Sequence, residues 1–90
     1  MFKTATNVEF GDNPVAGQTV MEIVAADRPG LLSKIGQAFL VQKIDIAAAK
    51  IMTIGERAED VFYICNRDGS ALDATAQEQL RDKLVKTLEE

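Results

Sequence analysis

The sequence has no histidine and no tryptophan, and it has a single cysteine among its 90 residues. The absence of histidine excludes histidine-based acid–base catalysis, histidine-ligated metal sites and His-Asp phosphohydrolase chemistry from this chain. Cys65 alone can form no internal disulfide, which favours a cytoplasmic protein. We therefore expect no catalytic residue, no metal site and no bound cofactor in this chain.

Aromatic residues, basic clusters and long apolar runs are also scarce. Only 6% of the residues are aromatic and the formal net charge is −4, which disfavours a nucleic-acid partner, including binding through an RRM-like sheet. No apolar run reaches the length of a membrane span. A hydrophobic content of 47% predicts one small globular domain over 1–90, with a core of aliphatic side chains.

The spacing of apolar residues predicts a ββαββα order of elements. Alternating patterns indicate the strands, and apolar residues three and four apart indicate the helices after Asp27 and around Leu80. We expect Pro29 to open the first helix, and Thr75 with Glu78 to form a capping box on the second. The predicted strands cover 7–10, 18–27, 44–54 and 59–65.

This order predicts an α+β fold, a ferredoxin-like sandwich of a four-stranded antiparallel sheet with two helices on one face. The final edge strand of that fold is missing, and the strand at 7–10 takes its place as a permuted N-terminal edge strand. Residues 1–17 then supply the edge strand and a hairpin loop, and 18–90 supply a βαββα core. The two central strands are apolar on both faces, so we expect a second copy or a neighbouring domain on the uncovered face.

The stretch DRPGLL predicts a corner between a strand and a helix, and it has two interpretations. Amides of Gly30, Leu31 and Leu32 lie in the first turn of the predicted helix, where they can bind a carboxylate. Asp27 can accept an ammonium group, so the corner suits a free amino acid. From the residue chemistry alone, the stronger interpretation is that these residues only form an ordinary helix start.

Two further segments carry charged residues next to predicted strand ends. Asp45 begins the third strand and is either a solvated side chain or a second carboxylate at the same or a partner's pocket. We do not expect Asp27 and Asp45 to act as a catalytic pair, because no nucleophile or metal cluster accompanies them. The charged hairpin TIGERAED is a solvated turn or a contact surface; its candidate interface residues are Thr53, Gly55, Arg57 and Glu59.

The chain resembles the ACT domain family, small regulatory modules that bind amino acids, over VMEIVAADRPGLLSKIGQAF and IDIAAAKIMTIGERAEDVFYI. The resemblance runs from Gln18 to the C-terminus. The stretches TIGERAEDVFYI and DGSALD are similar, more narrowly, to the C-terminal ACT domain of bacterial uridylyltransferase/uridylyl-removing enzymes. Such enzymes modify the PII signal protein, so this chain would be a fragment or a stand-alone relative.

The resemblance implies an amino-acid sensor, with L-glutamine as the ligand, that pairs with a sister ACT domain or a second copy. Its ligand-binding set would be Asp27, Arg28, the Gly30-Leu31-Leu32 backbone and Asp45. Asp45 stands where amino-acid-binding members often have Asn, and unlike Asn it cannot donate a hydrogen bond. The whole enzyme would use Mg and UTP in the bacterial cytoplasm, control nitrogen assimilation and act on PII. The alternative is an ACT-type interaction module that binds no small molecule.

Overall fold

The computed structural model describes residues 5–13 and 17–89. Part of the predicted N-terminal segment, 1–4 and 14–16, lies outside the described residues. The elements follow the predicted ββαββα order with one short strand added. They are β1 (Asn7–Asp12), β2 (Thr19–Ala26), α1 (Leu31–Val41), β3 (Ile44–Lys50), β4 (Thr53–Ile54), β5 (Arg57–Asn66) and α2 (Ala74–Leu88).

The sheet is antiparallel throughout and its strands lie in the order β1-β2-β5-β3. The N-terminal strand β1 pairs with β2, with Val8 opposite Ile23, and occupies the edge. This arrangement confirms the ferredoxin-like α+β fold with a permuted edge strand. The strand is two residues longer than predicted, since pairing continues through Gly11 and Asp12.

The predicted strand at 44–54 is interrupted, because β3 ends at Lys50 and β4 begins at Thr53. A register shift between Ile46 and Ala48 already bends β3. At the break, the Met52 amide donates to Asp60 Oδ1 at 3.1 Å and the Met52 carbonyl accepts from the Glu59 amide at 2.9 Å. The chain therefore stays hydrogen-bonded to β5, and β4 closes a tight hairpin with it.

Both predicted helix starts were wrong in detail. Helix α1 begins at Leu31 rather than Pro29, and its N-cap is Gly30. Helix α2 is capped by Asp73, whose Oδ1 accepts from the Ala76 amide at 2.8 Å, so the Thr75 capping box does not form the cap. Asp at the N-cap satisfies the Ala76 amide, one of the first-turn amides that have no intrahelical acceptor.

The hydrophobic core lies between the helices and one face of the sheet. Phe39 of α1 packs edge to face on Phe62 of β5, with ring centroids 5.3 Å apart. Leu80 and Leu84 of α2 are fully buried. Thr19 is buried too, and its hydroxyl accepts from the Leu72 amide at 3.0 Å. The buried hydroxyl oxygen therefore has a hydrogen-bond partner in place of water. Aliphatic residues dominate this core, as the composition predicts.

Within 5–13 and 17–89, no helix covers the opposite face of the sheet, and we call it the open face. The strand pairing assigns alternate residues of β2 and β5 to it, among them Val20, Val24, Val61 and Tyr63. These side chains are only half-buried in the single chain, whereas their neighbours along each strand are buried in the core. The prediction of two helices on one face is confirmed.

Candidate functional site

The DRPG corner lies where β2 ends and α1 begins. Asp27 follows the last residue of β2 and its side chain is exposed. The Asp27 amide donates to the Glu56 carbonyl at 2.9 Å, which fixes the corner to the β4–β5 hairpin. An exposed carboxylate thus stands on backbone that is held by hydrogen bonds, as a ligand contact requires.

Gly30 gives the corner its shape. Its φ of 82° and ψ of 3° lie in the left-handed region, which other residues adopt only with strain. A Cβ atom built at Gly30 would meet nothing within 4 Å, so the space beside it is open. The glycine therefore meets a backbone requirement of the turn, and it also leaves room for a ligand next to the helix start.

The first-turn amides differ from one another. The Leu31 amide donates to the Arg28 carbonyl at 3.2 Å, so this N–H is used within the turn. Leu32 lies in the first turn, where helix geometry offers its N–H no intrahelical acceptor, and its side chain is 49% exposed. Helix α1 has no side-chain cap. Leu32 is thus better placed than Leu31 to offer an amide to a carboxylate.

Arg28 points to the C-terminal end of α2. Its guanidinium donates a hydrogen bond to the Leu88 carbonyl, and the residue is half-buried. A cation at the end of a helix suits the negative end of the helix dipole. The structure therefore places the Arg28 side chain against α2, while its carbonyl belongs to the corner.

Asp45 is not brought to the corner within one chain. It pairs with Cys65 at one end of β5, whereas Ala26, next to Asp27, pairs with Arg57 at the other end. Arg57 and Cys65 are separated by roughly 25 Å along an extended strand. Asp27 and Asp45 of one molecule therefore cannot contact the same amino acid.

The candidate interface residues cluster at the β4–β5 hairpin. Thr53 pairs with Ala58 and is exposed, and Gly55 lies in the turn. Arg57 and Glu59 form an ion pair of 2.5 Å with side chains 47% and 33% exposed. Because Glu56 of the same turn accepts the Asp27 amide, this hairpin and the corner form one continuous surface.

Asp60 is a residue of this region that the sequence analysis missed. It is 2% exposed, and its Oδ2 has no hydrogen-bond partner among the residues that the structure describes. Burial raises the pKa of Asp60; the Met52 hydrogen bond opposes this, and the charge of Asp27 adds to it. Strand parity could have found it, since Asp60 lies two residues before the inward-facing Phe62.

Neither a metal-binding cluster nor a membrane-spanning helix occurs among the described residues. Within 5–13 and 17–89, no group of three or more His, Cys, Asp or Glu side chains could hold a metal ion. None of the helices in that part of the chain is both long and apolar enough to cross a membrane.

The fold and the corner together define a ferredoxin-like domain with a ligand-accessible strand–helix turn. The ACT domain family matches residues 19–82, and the chain belongs to this family. The match covers β2 through most of α2 and leaves β1 outside, which agrees with a permuted edge strand.

The chain is also similar to part of longer enzymes. It is 42% identical over 87 residues to the bifunctional uridylyltransferase/uridylyl-removing enzyme of Psychrobacter cryohalolentis, covering 97% of this chain and 10% of the relative. The enzyme of the same name from Vibrio cholerae is 44% identical over 89 residues, with 99% and 10% covered. That of Methylococcus capsulatus is 48% identical over 75 residues, with 83% and 9% covered. The chain thus spans about a tenth of the length of these relatives.

Proposed function

We propose that this chain is a regulatory ACT domain that senses a free amino acid, with L-glutamine as the ligand, at the DRPG corner. The observation that carries the proposal is the pairing of an exposed Asp27 with an uncapped helix start opened by Gly30. A carboxylate that faces an ammonium group and amides that face a carboxylate match the two ends of an amino acid.

A second copy of the domain can bring its own Asp45 to the end of the sheet that carries the corner. Strand β3 is an edge strand, so its outer N–H and C=O groups are available to another strand. If two β3 strands pair antiparallel about Ala48, Asp45 of one copy lies opposite Ile51 of the other. Ile51 lies towards the end of the sheet that carries Asp27. Pairing therefore brings Asp45 to the end of the sheet that carries the corner, with its side chain on the open face and not on the face that carries α1.

Regulation follows if the ligand favours one arrangement of the two copies. A ligand that is bound at the corner and also contacts the second copy binds the paired state more tightly than the separate state. The population of the paired state then rises by that difference in affinity. In a longer enzyme this shift would bias the activity of the other domains. The setting would be cytoplasmic nitrogen control, with the PII signal protein as the substrate of the whole enzyme.

Thermal denaturation with and without L-glutamine tests the proposal, with D-glutamine and L-glutamate as controls. At about 100-fold excess over its dissociation constant, a ligand that binds only the folded state stabilises by roughly 2.7 kcal/mol. We expect a rise in Tm with L-glutamine that Asp27→Asn abolishes. Asp82→Asn, an exposed acid on α2, is the matched control and should keep the rise. Equal Tm values with all three amino acids would contradict the proposal.

A second candidate function is a protein-interaction module without a small-molecule ligand. The observation that favours it is the set of exposed apolar side chains around the β3 edge, in which Ile46, Ile51, Met52 and Ile54 are each between 44% and 48% exposed. Such side chains suit burial against another protein. Under this alternative no amino acid changes Tm, and Asp27→Ala changes stability alone.

A further inference from the structure

The open face of the sheet carries an ordered row of charge. Glu9, Glu22, Val61 and Lys50 lie side by side across β1, β2, β5 and β3, as the pairing of these strands gives. Glu9, Glu22 and Lys50 are exposed. The row is therefore negative on one half of the sheet and positive at the far edge.

This row is not balanced within one chain. Glu9 and Glu22 are directly opposite on neighbouring strands, and like charges in that position are destabilising. Lys50 lies two strands from Glu22 and three from Glu9, or roughly 10 and 14 Å away at about 4.8 Å per strand. The cation is thus too far along the sheet to neutralise the pair of carboxylates directly.

The next row of residues across the open face combines a small residue at one edge with a large side chain on the other half. Gly11, Val20, Tyr63 and Ala48 lie side by side across the same four strands. Gly11 has no side chain, and a hollow between β1 and β2 is lined by Gly11, Val20, Glu9 and Glu22, among others. Tyr63 is the largest side chain of the row and stands on the other half of the sheet. The face therefore has a hollow on one side and a projecting ring on the other.

We infer that the open face is a self-complementary docking surface for a second copy of this chain. A two-fold axis that runs along the strands, between β2 and β5, places β1 of one copy over β3 of the other. Glu9 then faces Lys50 of the second copy, twice per dimer. Tyr63 lies over Val20 of the second copy, next to the hollow at Gly11. The face is separate from the β3 edge, and the inference does not depend on ligand binding.

The size of the face sets the strength of this contact. Four strands about 4.8 Å apart, each with six or seven residues at about 3.3 Å, give a surface of roughly 400 Å². Two such faces bury about 800 Å², below the range of stable complexes at roughly 1,200–2,000 Å². The dimer is therefore weak and depends on protein concentration and on salt.

Sedimentation equilibrium of the 90-residue chain, up to about millimolar concentration, tests the inference. We expect the mass to double with concentration, and the dissociation constant to rise with ionic strength. Lys50→Glu should weaken this step at least about tenfold, since it turns two attractive contacts into repulsive ones. The double variant Glu9→Lys/Lys50→Glu should restore it. Lys86→Glu, on an exposed helix position, is the matched control and should leave it unchanged.

Gly11→Leu tests the shape argument separately from charge. A Cβ at Gly11 meets nothing within 4 Å and its backbone is not in the left-handed region, so the single chain tolerates a side chain there. We expect an unchanged Tm at low concentration and at least about tenfold weaker association. Tyr63→Ala should weaken association similarly.

A crosslink distinguishes face pairing from pairing of the β3 edges. In a Cys65→Ser background, Gly11→Cys and Ala48→Cys are three strands apart within one chain, too far for a short crosslink. The two-fold axis places them opposite each other between copies, at the roughly 10 Å spacing of stacked sheets, so a short bis-maleimide crosslinker should give a covalent dimer. Gly11→Cys with Ser33→Cys, on α1, is the control. A monomer at all concentrations, or association that ignores all these variants, would overturn the inference.

Discussion

The two helices of this domain start in different ways. Asp73 closes α2 with its own side chain, which accepts the Ala76 amide at 2.8 Å. Helix α1 has Gly30 at the same position, in a left-handed conformation and without a side-chain cap. Both helices pack on the same face of the sheet, so the difference does not come from their burial.

The two helix starts differ in how far they favour the stability of the helix and how far they leave its first-turn amides accessible to a ligand. The α2 start satisfies the Ala76 amide with its own Asp73 side chain, which occupies the place that an anionic ligand would take. The α1 start leaves amides towards solvent beside an exposed Asp27, which costs stability in the empty protein and suits a site for an anion. A domain of 90 residues is only marginally stable, so an uncapped helix calls for a functional reason.

The largest effect is expected when the glycine of the α1 start is replaced. Gly30→Ala forces a side chain into the left-handed region and should destabilise by about 1–2 kcal/mol. The Tm should fall by roughly 5–15 °C, measured by circular dichroism. Gly36→Ala, inside α1 where a Cβ meets nothing, is the matched control and should raise stability. A Gly30→Ala protein with wild-type Tm would remove the basis of the comparison.

The α2 start should respond to loss of its cap without any change in ligand response. Asp73→Ala removes the hydrogen bond to the Ala76 amide and should destabilise by about 1 kcal/mol. The Tm increase that we propose for L-glutamine should be the same as in the wild type. If that increase disappeared, the two helix starts would not be functionally separate.

Asp60 and Asp68 should make the stability of the folded protein depend on pH in opposite directions. Burial raises the pKa of Asp60 above its ordinary 3.8, so the folded protein binds its proton more tightly than the unfolded chain. Stability should then fall as pH rises from about 4 through the raised pKa. Asp60→Asn should flatten this fall in a series of denaturation curves. A wild-type profile with no fall above pH 4 would contradict this assignment.

The smallest effect is expected at Asp68, in the exposed loop before α2. Hydrogen bonds from the hydroxyl and amide of Ser70 lower the pKa of Asp68 below its ordinary 3.8. Its contribution is present above that value and lost as pH falls through the lowered pKa. Asp68→Asn should remove a small acid-side loss of stability, visible only below about pH 4. Any effect of Asp68→Asn at neutral pH on ligand binding would be unexpected.

Much of this fold could be predicted from local patterns. The alternation at 7–10 and the inward side chains of β5 depend on a period of two that is visible in the sequence. The permuted edge strand followed from the missing last strand of the βαββα order. Asp60 also lies at an inward position of β5. The alternation alone did not predict its burial, because a carboxylate at an inward position is rare.

The site depends on features that a local pattern does not determine. The Pro29 rule predicted a helix start two residues too early, because the left-handed Gly30 turn comes between Pro29 and the helix. The separation of Asp45 from Asp27 follows from the pairing of β3 with β5, which is a contact distant in sequence. The positions of the two acids relative to a ligand required the register, which alternation alone does not give.

The hydrogen bond from Arg28 to the Leu88 carbonyl has a mechanical consequence. It ties the turn before α1 to the last turn of α2, across 60 residues of sequence. When a ligand shifts the backbone at Arg28, the guanidinium must either follow and pull on α2 or release it. A movement of the backbone at the corner can therefore be transmitted to the end of α2, and a movement at the end of α2 can be transmitted to the corner.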